Sequence, residues 1–456
     1  MKTPIEPFKI KSVEAIPITN RKEREDYIKE AFYNTFYLKS DKITIDMLTD
    51  SGTTAMSSKQ WASIMDGDES YAGSKSYYKF EDAVRDITNF KYIIPTHQGR
   101  AAERILFTAL IGKNQTIPNN THFDTTRGNL EFSGIEAVDL PTEIGTKPDV
   151  IADFKGNMNL VALEELILNR GKENIPICMI TITNNSGGGQ PVSMENIRET
   201  KKLLSKYGIP LYLDCCRFAE NAYFIKQREK GYENKSILEI AREMFSYADG
   251  CTMSAKKDGL SNTGGFIGTN DDKLAQKLQT ILIVTEGFLT YGGLARRDLE
   301  ALAIGFKEVV DENYLKYRVG QVKLLGDMLI SANVPILMPT GGHAVYLDAA
   351  RFLPNIKPEH FPGQTISCEL YRAGGIRAVE IGSVMFGKKD EKGNHIPPPM
   401  ELVRLAIPRR VYTKSHIEYT AEAIIDVYEN RDKLKGMKIV WEAEFLRHFT
   451  AKFDYL

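Results

Sequence analysis

The sequence predicts an α/β protein with a large domain built on a mostly parallel sheet and a smaller α/β domain. Two apolar strands, 177–183 and 209–213, enclose one helical segment, 194–207, which is the pattern of a βαβ unit with parallel strands. Strands continue to alternate with helices between residues 57 and 305, as in a parallel sheet covered on both faces. A shorter mixed run of strands and helices follows from residue 333 onward.

The predicted domain boundaries follow from this order of elements, because the chain shows no internal repeat and no low-complexity linker. Residues 1–56 are expected to form an N-terminal arm and part of the small domain, and residues 57–305 the large domain. A helical pattern over 306–332 predicts a linking helix, and residues 333–456 are expected to form the small C-terminal domain. Strands of the small domain are predicted at the apolar runs 334–338, 345–347 and 402–407.

A helix with clear termini connects the two strands of the βαβ unit. Ser193 is a residue type that caps helix N-termini, and Gly208 is the type that ends helices. The strand that follows terminates in Asp214, with Arg217 three residues further on. Taken alone, such an aspartate is a turn or cap residue and such an arginine a surface charge, so their meaning depends on what else reaches the same edge.

A third apolar strand, 248–253, delivers two adjacent lysines, Lys256 and Lys257. Such a pair is ordinarily a solvated corner. Because parallel strands end on one edge of the sheet, however, Lys257 is expected to meet Asp214 and Arg217 there. An amine that binds the cofactor, a carboxylate for its pyridine nitrogen and a cation for its ring oxygen are what pyridoxal phosphate requires. The sequence therefore predicts a pyridoxal phosphate site at this edge.

A second strand-to-helix turn supplies candidates for binding the cofactor phosphate. The triplet Gln98-Gly99-Arg100 follows the strand 92–95 and precedes the helical run that begins at Ala101. Backbone N–H groups at a helix N-terminus bind anions, and an arginine beside them adds positive charge. A glycine at such a turn is a weak indication by itself, so this prediction depends on the site at the sheet edge.

Composition excludes several function classes. The formal net charge is −1, with no basic stripe for nucleic acid and no apolar run long enough to span a bilayer. The five cysteines lack CxxC spacing and the seven histidines lack metal-ligand spacing, which favours a reducing, cytoplasmic location and argues against a transition-metal site. Cys215 and Cys216 adjoin Asp214, and they are either a redox pair or two small apolar residues.

Ordered strings along nearly the whole chain give it a family resemblance. They are LTDSGT, GDESYAGSKSYY, IPTHQGR, GGQPVS, RFAENAYFIKQRE, MSAKKD, TYGGL, GGHAV and LRHFTAKF. Through them the chain resembles the β-eliminating lyases of the pyridoxal-phosphate fold-type I superfamily. The resemblance implies the aspartate aminotransferase fold, with a mostly parallel seven-stranded sheet in the large domain, and β-elimination from an aromatic amino acid.

The resemblance also implies roles for the matched residues of the cofactor site. Lys257 would carry the cofactor and remove the substrate α-proton, while Asp214 and Arg217 would hold the cofactor ring. The other matched positions are Gln98, Gly99, Arg100 and Ser254 at the phosphate, Phe123 stacked on the ring, and Asn185 beside both the cofactor and the substrate carboxylate.

Further matched residues concern the substrate. Arg404 lies in the apolar strand LVRLAIP, where a half-buried arginine needs an anionic partner, and the resemblance implies that this partner is the substrate carboxylate. Tyr71, in DESYAGS, matches the general acid, which protonates the leaving group and comes from the neighbouring subunit. Ser51 and Tyr291 fall in matching strings, Ser51 as a substrate contact.

A cation and an assembly are implied by the resemblance alone. Gly52, Glu69 and Asn262 match positions that bind a monovalent cation, usually potassium, through backbone carbonyls and one carboxylate. Ligation by oxygen only suits a hard ion. The family also implies a homotetramer, a dimer of dimers whose active sites are shared between two subunits.

The residues expected to face the leaving ring favour tryptophan as the substrate. Asp124, Phe288, Ile381 and His448 match the members that release indole, where members that release phenol carry Thr, Met, Arg and Phe. Asp124 can accept the indole N–H, whereas Ile381 cannot neutralise a phenolate. The strings NTFYL, SSKQWA, NKSI and FSYADGCTMS look closer to the phenol-releasing members instead.

We therefore predict cleavage of tryptophan to indole, pyruvate and ammonia. The alternative is cleavage of tyrosine by an altered pocket. A third hypothesis, from a different class, is a catalytically silent binding protein with the cofactor fold, and the joint presence of Lys257, Asp214, Arg217, Arg404 and Tyr71 argues against it.

Overall fold

Strands alternate with helices along most of the chain in the computed structural model, which describes residues 5–444 and 446–456. Two units are distinguished, each discontinuous in sequence. Unit 1 comprises Met1–Asp50, Thr146–Ala152 and Tyr317–Leu456, and unit 2 comprises Ser51–Gly145 and Asp153–Lys316. The first four residues of the predicted N-terminal arm lie outside the described residues.

The described residues form fifteen α-helices and sixteen strands. The helices are α1 (Arg21–Glu30), α2 (Ser58–Met65), α3 (Lys75–Thr88), α4 (Gly99–Leu110), α5 (Asp124–Phe132), α6 (Leu160–Arg170), α7 (Met194–Tyr207), α8 (Phe218–Arg228), α9 (Ile237–Ser246), α10 (Asp272–Thr285), α11 (Arg296–Val309), α12 (Glu312–Ser331), α13 (Ala349–Phe352), α14 (Pro362–Gly374) and α15 (Lys414–Glu429). The strands are β1 (Ile45–Asp46), β2 (Tyr92–Thr96), β3 (Thr116–Asn119), β4 (Glu136–Asp139), β5 (Cys178–Thr181), β6 (Leu211–Asp214), β7 (Gly250–Ser254), β8 (Gly265–Thr269), β9 (Ala344–Asp348), β10 (Ile376–Arg377), β11 (Val379–Ile381), β12 (Lys388–Lys389), β13 (His395–Ile396), β14 (Leu402–Ala406), β15 (Met437–Trp441) and β16 (Lys452–Tyr455). Among these helices, none combines the length and the hydropathy needed to cross a lipid bilayer.

The central sheet of unit 2 has the strand order β2-β8-β7-β6-β5. Strands β5, β6 and β7 run parallel, and β8 is antiparallel to both of its neighbours. Strands β3 and β4 form a separate parallel pair. The Asn119 side chain of β3 joins that pair to β5, because its Nδ2 donates to Thr181 Oγ1 at 3.0 Å. These seven strands confirm the predicted mostly parallel α/β fold.

Helix α7 is the crossover that makes β5 and β6 parallel, and its bounds follow from its end residues. The Ser193 hydroxyl accepts the N–H of Asn196 at 3.1 Å and caps the first turn. Gly208 ends the helix with φ of 72°, a left-handed conformation that a glycine adopts without strain. Ile197 and Leu204 of the inner helix face are fully buried. Both strands therefore point their carboxyl ends to the same edge.

The core of unit 2 packs α4, α5 and α10 against the sheet. Ile105 and Leu106 of α4, Met179 of β5 and Leu278 of α10 are fully buried in one apolar cluster. Burying a side chain of this size contributes about 1.5–3 kcal/mol. The strand ends are therefore supported by a close-packed interior rather than by loops.

Unit 1 is built on a three-stranded antiparallel sheet with the order β11-β14-β9. Helices α14 and α15 cover it, and Ile366, Leu370, Ile417 and Ala421 are fully buried in the cluster that they form with the sheet. Arg404 occupies the middle strand, β14.

One predicted helix is two helices. The pattern over 306–332 indicated a single linking helix, but α11 ends at Val309 and α12 begins at Glu312. The side chain of Asp311 accepts the N–H of Tyr314 at 2.8 Å, which is the bond of a helix N-cap. The prediction of one continuous helix is wrong, because an aspartate inside an apolar periodicity starts a new helix here.

One predicted strand is also absent from the described residues. The run 334–338 contributes only an isolated bridge, Ile336 opposite Leu347. Pro335 lacks a backbone donor, and the N–H of Met338 donates to the Pro148 carbonyl at 2.7 Å instead of to a strand.

Candidate active site

The carboxyl ends of β5, β6 and β7 meet at one edge of the sheet in unit 2. In the strand register Thr181 lies opposite Asp214, and Asp214 lies opposite Thr252. Asp214 ends β6 and is 5% exposed. Arg217, which is also buried, precedes α8, and its backbone N–H donates to the Ile182 carbonyl at 3.2 Å. The edge thus holds a carboxylate and a guanidinium shielded from water.

The turn that carries Lys257 is tied to the turn that follows β6. The backbone N–H of Asp258 donates to the Cys216 carbonyl at 3.2 Å, and the Asp258 carboxylate accepts the N–H of Ala219 at 2.9 Å. Burial raises the pKa of the Cys216 thiol, the negative charge of Asp214 raises it further, and the Lys257 cation lowers it. The charges of Asp214 and Lys257 therefore converge on one thiol.

Cys216 contacts the Asp214 carboxylate directly. Its Sγ donates to Asp214 Oδ1 at 2.9 Å and accepts the backbone N–H of Ser254 at 3.3 Å. Cys216 thereby joins the ends of β6 and β7. This role of Cys216 was not predicted from the sequence, although its position two residues after Asp214 indicates that it lies near the same strand end. Cys216 and its neighbour Cys215 are both free thiols.

The triplet Gln98-Gly99-Arg100 lies at the N-terminus of α4. A Cβ on Gly99 would overlap the side chain of Ser254, so only a glycine lets α4 begin this close to β7. The Gln98 carbonyl accepts the N–H of Ala101 at 3.1 Å, and the Arg100 side chain is exposed. First-turn N–H groups beside a serine and an arginine form a cradle that suits a phosphate.

Lys256 packs against the segment that contains Ser51 and Gly52. The Lys256 carbonyl accepts the N–H of Gly52 at 2.8 Å, and Ser51 beside it is half-buried. Burial lowers the pKa of Lys256, and the cations of Lys257 and Arg100 lower it further. The two adjacent lysines thus stand in different surroundings.

Helix α4 carries a buried carboxylate, Glu103, one turn beyond the phosphate cradle. Its Oε1 accepts the Thr126 hydroxyl at 2.5 Å and its Oε2 accepts Asn129 Nδ2 at 3.1 Å, both from α5. Burial raises the pKa of Glu103 to about 7, with a further increase from the charge of Asp214 and an opposing effect from Lys257. Glu103 was not predicted as a site residue, although a glutamate within the largely apolar run AAERILF indicates a buried carboxyl.

Phe123 and Asp124 lie at the start of α5. Phe123 is the half-buried N-cap residue, and Asp124 is the first helical residue, 7% exposed. Asp124 Oδ1 accepts the N–H of Thr125 at 2.6 Å. Asn185 is buried in the loop after β5, and its backbone carbonyl accepts the N–H of Gly188 at 3.1 Å.

Tyr71, Phe288 and Tyr291 form an aromatic cluster in unit 2. The Tyr71 ring centroid lies 5.6 Å from that of Phe288 and 5.5 Å from that of Tyr291. The hydrogen bond with Tyr291 raises the pKa of Tyr71. The pKa of Tyr291 is lowered, first by a backbone hydrogen bond at Phe288 and then by Tyr71. Tyr71 is 66% exposed, and its raised pKa keeps the hydroxyl protonated near neutral pH.

Two of the three predicted cation ligands lie together. Asn262 Nδ2 donates to the Gly52 carbonyl at 2.9 Å. The third residue, Glu69, is exposed and pairs with Arg297 at 3.1 Å. Within this chain, therefore, the structure brings Gly52 to Asn262 and places Glu69 in an ion pair.

Three predicted substrate residues belong to unit 1. Arg404, in β14, is 7% exposed, and its Nη2 donates to the Leu48 carbonyl at 3.1 Å. Ile381 is the buried last residue of β11. His448 is buried, and its ring centroid lies 4.0 Å from that of Phe449.

The lysine turn, the buried side chains of Asp214 and Arg217 and the start of α4 at Gly99 lie at the carboxyl edge of a mostly parallel sheet. This arrangement suits pyridoxal phosphate and the fold-type I class of enzymes that use it. Comparison with known proteins makes the family specific. The pattern of the family "Beta-eliminating lyase" matches residues 46–423, and the chain belongs to that family. The protein is accordingly a lyase, and its family implies pyridoxal phosphate as the cofactor.

The chain is similar to tryptophanases and to tyrosine phenol-lyases over nearly its whole length. It is 57% identical to a tryptophanase of Salinibacter ruber over 99% of this chain and 95% of that protein. It is 55% identical to a tryptophanase of Hyphomonas neptunium over 100% of both chains, and 49% identical to a tyrosine phenol-lyase of Pasteurella multocida over 99% and 98%. Among solved structures, a chain of the SepCysS-SepCysE N-terminal domain complex shares the fold, with a TM-score of 0.56 and 14% identity over 86% of this chain and 95% of that one.

The identities over the whole chain point to a different group from the four scaffold strings. Four scaffold strings looked closer to the members that release phenol. Over the whole chain, the identity is 54–57% to three tryptophanases and 47–49% to five tyrosine phenol-lyases. Whole-chain identity therefore favours the tryptophanases, in agreement with the residues expected at the leaving ring.

Proposed function

We propose that the protein catalyses the β-elimination of L-tryptophan, in which tryptophan and water give indole, pyruvate and ammonia. One observation carries the proposal: the whole-length identity to tryptophanases exceeds that to tyrosine phenol-lyases. The residues expected at the leaving ring support the same substrate, because Asp124 can accept the indole N–H and Ile381 offers a phenolate no cation.

The cofactor site fits pyridoxal phosphate. When bound, this group supplies an electron sink for the electron pair left as the substrate Cα–H bond breaks. The cradle formed by Gly99 and Ser254 suits its phosphate, and the buried carboxylate of Asp214 suits its pyridine nitrogen. Phe123 and Arg217 would hold the ring in place between these two anchors.

The chain's own residues would then move two protons. The Lys257 amine takes the proton from the substrate Cα, while Asp214 keeps a proton on the pyridine nitrogen. Arg404 would bind the substrate carboxylate, and Asn185 is expected to contact the same group. The Tyr71 hydroxyl, whose raised pKa keeps it protonated, donates its proton to the ring carbon that bears the side chain.

Asp124 would distinguish indole from other leaving groups. A buried carboxylate that accepts the indole N–H also offsets the positive charge that develops when the ring carbon is protonated. Phe288, Ile381 and His448 would enclose the ring with surfaces that offer no partner to a phenol oxygen.

We further propose a monovalent cation, potassium, at Gly52, Glu69 and Asn262 of a homotetramer built from two dimers. The hydrogen bond from Asn262 Nδ2 to the Gly52 carbonyl supports this site because it brings two of its three residues together, and ligation through oxygen atoms would suit a hard ion. The exposure of Tyr71 supports an active site shared between two subunits. All five cysteines are free thiols, which supports a cytoplasmic location.

The substrate is tested with pure protein, pyridoxal phosphate and each of three amino acids: L-tryptophan, L-tyrosine and S-methyl-L-cysteine. Indole from tryptophan should form much faster than phenol from tyrosine. Phenol as the main product would support the tyrosine alternative, and no product from any of the three would support the silent binding protein.

Asp124→Thr should lower kcat/KM for tryptophan, because a buried N–H without its charged acceptor costs about 1–3 kcal/mol, or roughly five- to 150-fold. S-methyl-L-cysteine should be spared, since it lacks the indole contact. Asp124→Asn is the matched control, which retains a neutral acceptor and separates the hydrogen bond from the charge. An equal loss for all substrates would show that Asp124 supports the cofactor or the fold instead.

A further inference from the structure

Two buried glutamates in unit 1 lie next to a residue expected at the leaving ring. Ile381 ends β11 and is followed by a turn at 382–387. Glu380 precedes Ile381 on β11, and Glu401 immediately precedes β14. These glutamates are 3% and 6% exposed, and neither takes part in the proposed chemistry. A buried carboxyl without a catalytic role needs another explanation.

The two carboxylates bind the backbone of this turn. Glu380 accepts the N–H of Val384 at 2.9 Å and the N–H of Met385 at 3.1 Å. Glu401 accepts the N–H of Ser383 at 3.1 Å and also the Ser383 hydroxyl. Three consecutive N–H groups of the turn thus depend on two side chains from the sheet.

The same two carboxylates lie close to each other around Gly382. A Cβ built on Gly382 would overlap the Glu401 carboxylate and lie 2.8 Å from Glu380 Oε1. Burial raises the pKa of Glu380 to about 8, with a further increase from the charge of Glu401. Burial also raises the pKa of Glu401. Near neutral pH the pair therefore holds at least one proton, since two adjacent buried charges repel each other.

Other titratable groups around the turn do not cancel this repulsion. His395 Nε2 lies 2.8 Å from the Ser383 hydroxyl, and burial followed by the Arg447 cation lowers the pKa of His395, so it is neutral above pH 7. Arg447 itself pairs with Glu442 at 3.0 Å. Glu380 and Glu401 consequently lie near a neutral imidazole and near an arginine that already has a carboxylate partner.

The turn is also bound to the segment of a second ring-facing residue. Arg447 donates to the carbonyls of Val384 at 2.8 Å, Ser383 at 2.6 Å and Gly387 at 3.2 Å. The next residue in the chain is His448. One turn therefore connects Ile381 on its N-terminal side with His448 through Arg447.

We propose that Glu380 and Glu401 are positioning residues that hold the 382–387 turn, and through it Ile381 and His448, in the arrangement that fits the leaving ring. This inference rests on the proposed function, because it assigns both ring-facing residues to indole. Ionisation of the second carboxyl would place two negative charges side by side and loosen the turn. The kcat/KM for tryptophan should therefore fall at high pH, whereas the kcat/KM for a substrate with a small leaving group should fall less.

The test uses the holoenzyme and the ratio of kcat/KM for L-tryptophan to that for S-methyl-L-cysteine, from about pH 7 to about pH 9.5. In the wild type this ratio should fall by up to about tenfold per pH unit once the pH exceeds about 8, where the second carboxyl ionises. Glu380→Gln mimics the protonated carboxyl and cannot ionise, so its ratio should stay within about twofold over the same range. Glu369→Gln is the matched control, because Glu369 is another buried glutamate of unit 1, bound to Arg372 at 2.6 Å.

Amide hydrogen exchange of the peptide that spans 382–387 gives a second readout. It is measured on the wild type, so it does not depend on whether a variant folds. After correction for intrinsic rates, protection should decrease above about pH 8. An unchanged ratio with unchanged protection overturns the inference, and so does a pH profile of Glu380→Gln that matches that of Glu369→Gln. If no indole forms while protection still decreases, the proposed function fails, and the specificity role falls with it.

Discussion

Asp214 shares its surroundings with two side chains that no sequence motif marks. Cys216 donates to one carboxylate oxygen, and the Asp214 charge contributes to the raised pKa of Glu103. Each side chain is linked to a neighbouring element, Cys216 to β7 and Glu103 to α5. At the residue scale, the Asp214 carboxylate therefore interacts with both the Cys216 thiol and the Glu103 carboxyl.

The identity of the cofactor lysine gives a first prediction at this scale. Lys257→Ala should remove the visible absorption of the bound cofactor and stop turnover, because no amine remains to hold the group. Lys256→Ala is the matched control and should retain the absorption. The measurement is an absorption spectrum together with a peptide map after borohydride reduction, and a label found on Lys256 would contradict the assignment.

Glu103 gives a second prediction, on stability against pH. Its pKa in the folded protein is raised to about 7 from the ordinary value of 4.5. A carboxyl with a raised pKa stabilises the fold fully below its unfolded pKa, and this contribution is lost as pH rises through the folded pKa. Between about pH 5 and about pH 8, the free energy of unfolding of the wild type should therefore decrease relative to Glu103→Gln, by up to about 3 kcal/mol.

The measurement is denaturant unfolding of both proteins across this pH range. Glu300→Gln serves as the control, because Glu300 is another buried carboxylate of unit 2, paired with Lys79 at 2.8 Å. A difference between the wild type and Glu103→Gln that stays constant with pH would show that Glu103 does not titrate in the folded protein.

At the scale of elements, the site depends on where helices begin. Helix α4 can start against β7 because Gly99 has no side chain. Helix α5, which follows the N-cap residue Phe123 and begins at Asp124, is bound to α4 through the hydrogen bond between Thr126 and Glu103. The N–H groups and the dipole at the N-terminus of each helix favour a bound anion. The starts of these two helices therefore position the residues that we propose to bind the phosphate and the ring.

Gly99→Ala tests this close approach. The added Cβ would overlap Ser254, so α4 should shift, with a loss of about 1–3 kcal/mol in stability and a weaker affinity for pyridoxal phosphate. Gly112→Ala is the matched control, since the nearest atoms there belong to the end of the Gln115 side chain. Titration of the cofactor-free protein with pyridoxal phosphate, followed by absorbance, measures the affinity, and equal values for both variants would contradict the expectation.

At the scale of the whole molecule, similarity over the full length carries information that single positions do not. The chain matches tryptophanases along 99–100% of its length, so both units share that origin. Glu69, the proposed cation ligand, and Tyr71, the proposed general acid, are both exposed in the single chain, which is what the proposed assembly requires.

Potassium dependence is the prediction at this scale. If the Gly52, Glu69 and Asn262 site orders the assembled active site, the activity should be high in potassium and several-fold lower in sodium or tetramethylammonium. Initial rates of indole release are compared at equal ionic strength, with S-methyl-L-cysteine as a second substrate. Equal rates in all three salts would argue against a functional cation site.

Local signals in the sequence were sufficient for much of the fold. Apolar runs predicted β5, β6 and β7 to within about two residues, and Ser193 and Gly208 defined α7 to the residue. These predictions succeeded because hydrophobic periodicity and helix caps depend on residues close in the chain. The edge that carries Asp214 and Lys257 followed from the parallel strands of a βαβ unit, which can be inferred without atomic detail.

The tertiary structure alone decided the remaining features. The pKa of Glu103, the start of α4 against Ser254 and the pair Glu380 and Glu401 depend on distances between residues far apart in sequence, and the bond from Cys216 to Asp214 depends on how the turn after β6 packs against β7. The break between α11 and α12 also needed the structure, because an aspartate fits both the exposed face of a long helix and the cap of a new one. Burial and electrostatic coupling are properties of the packed chain, so no pattern of neighbouring residues determines them.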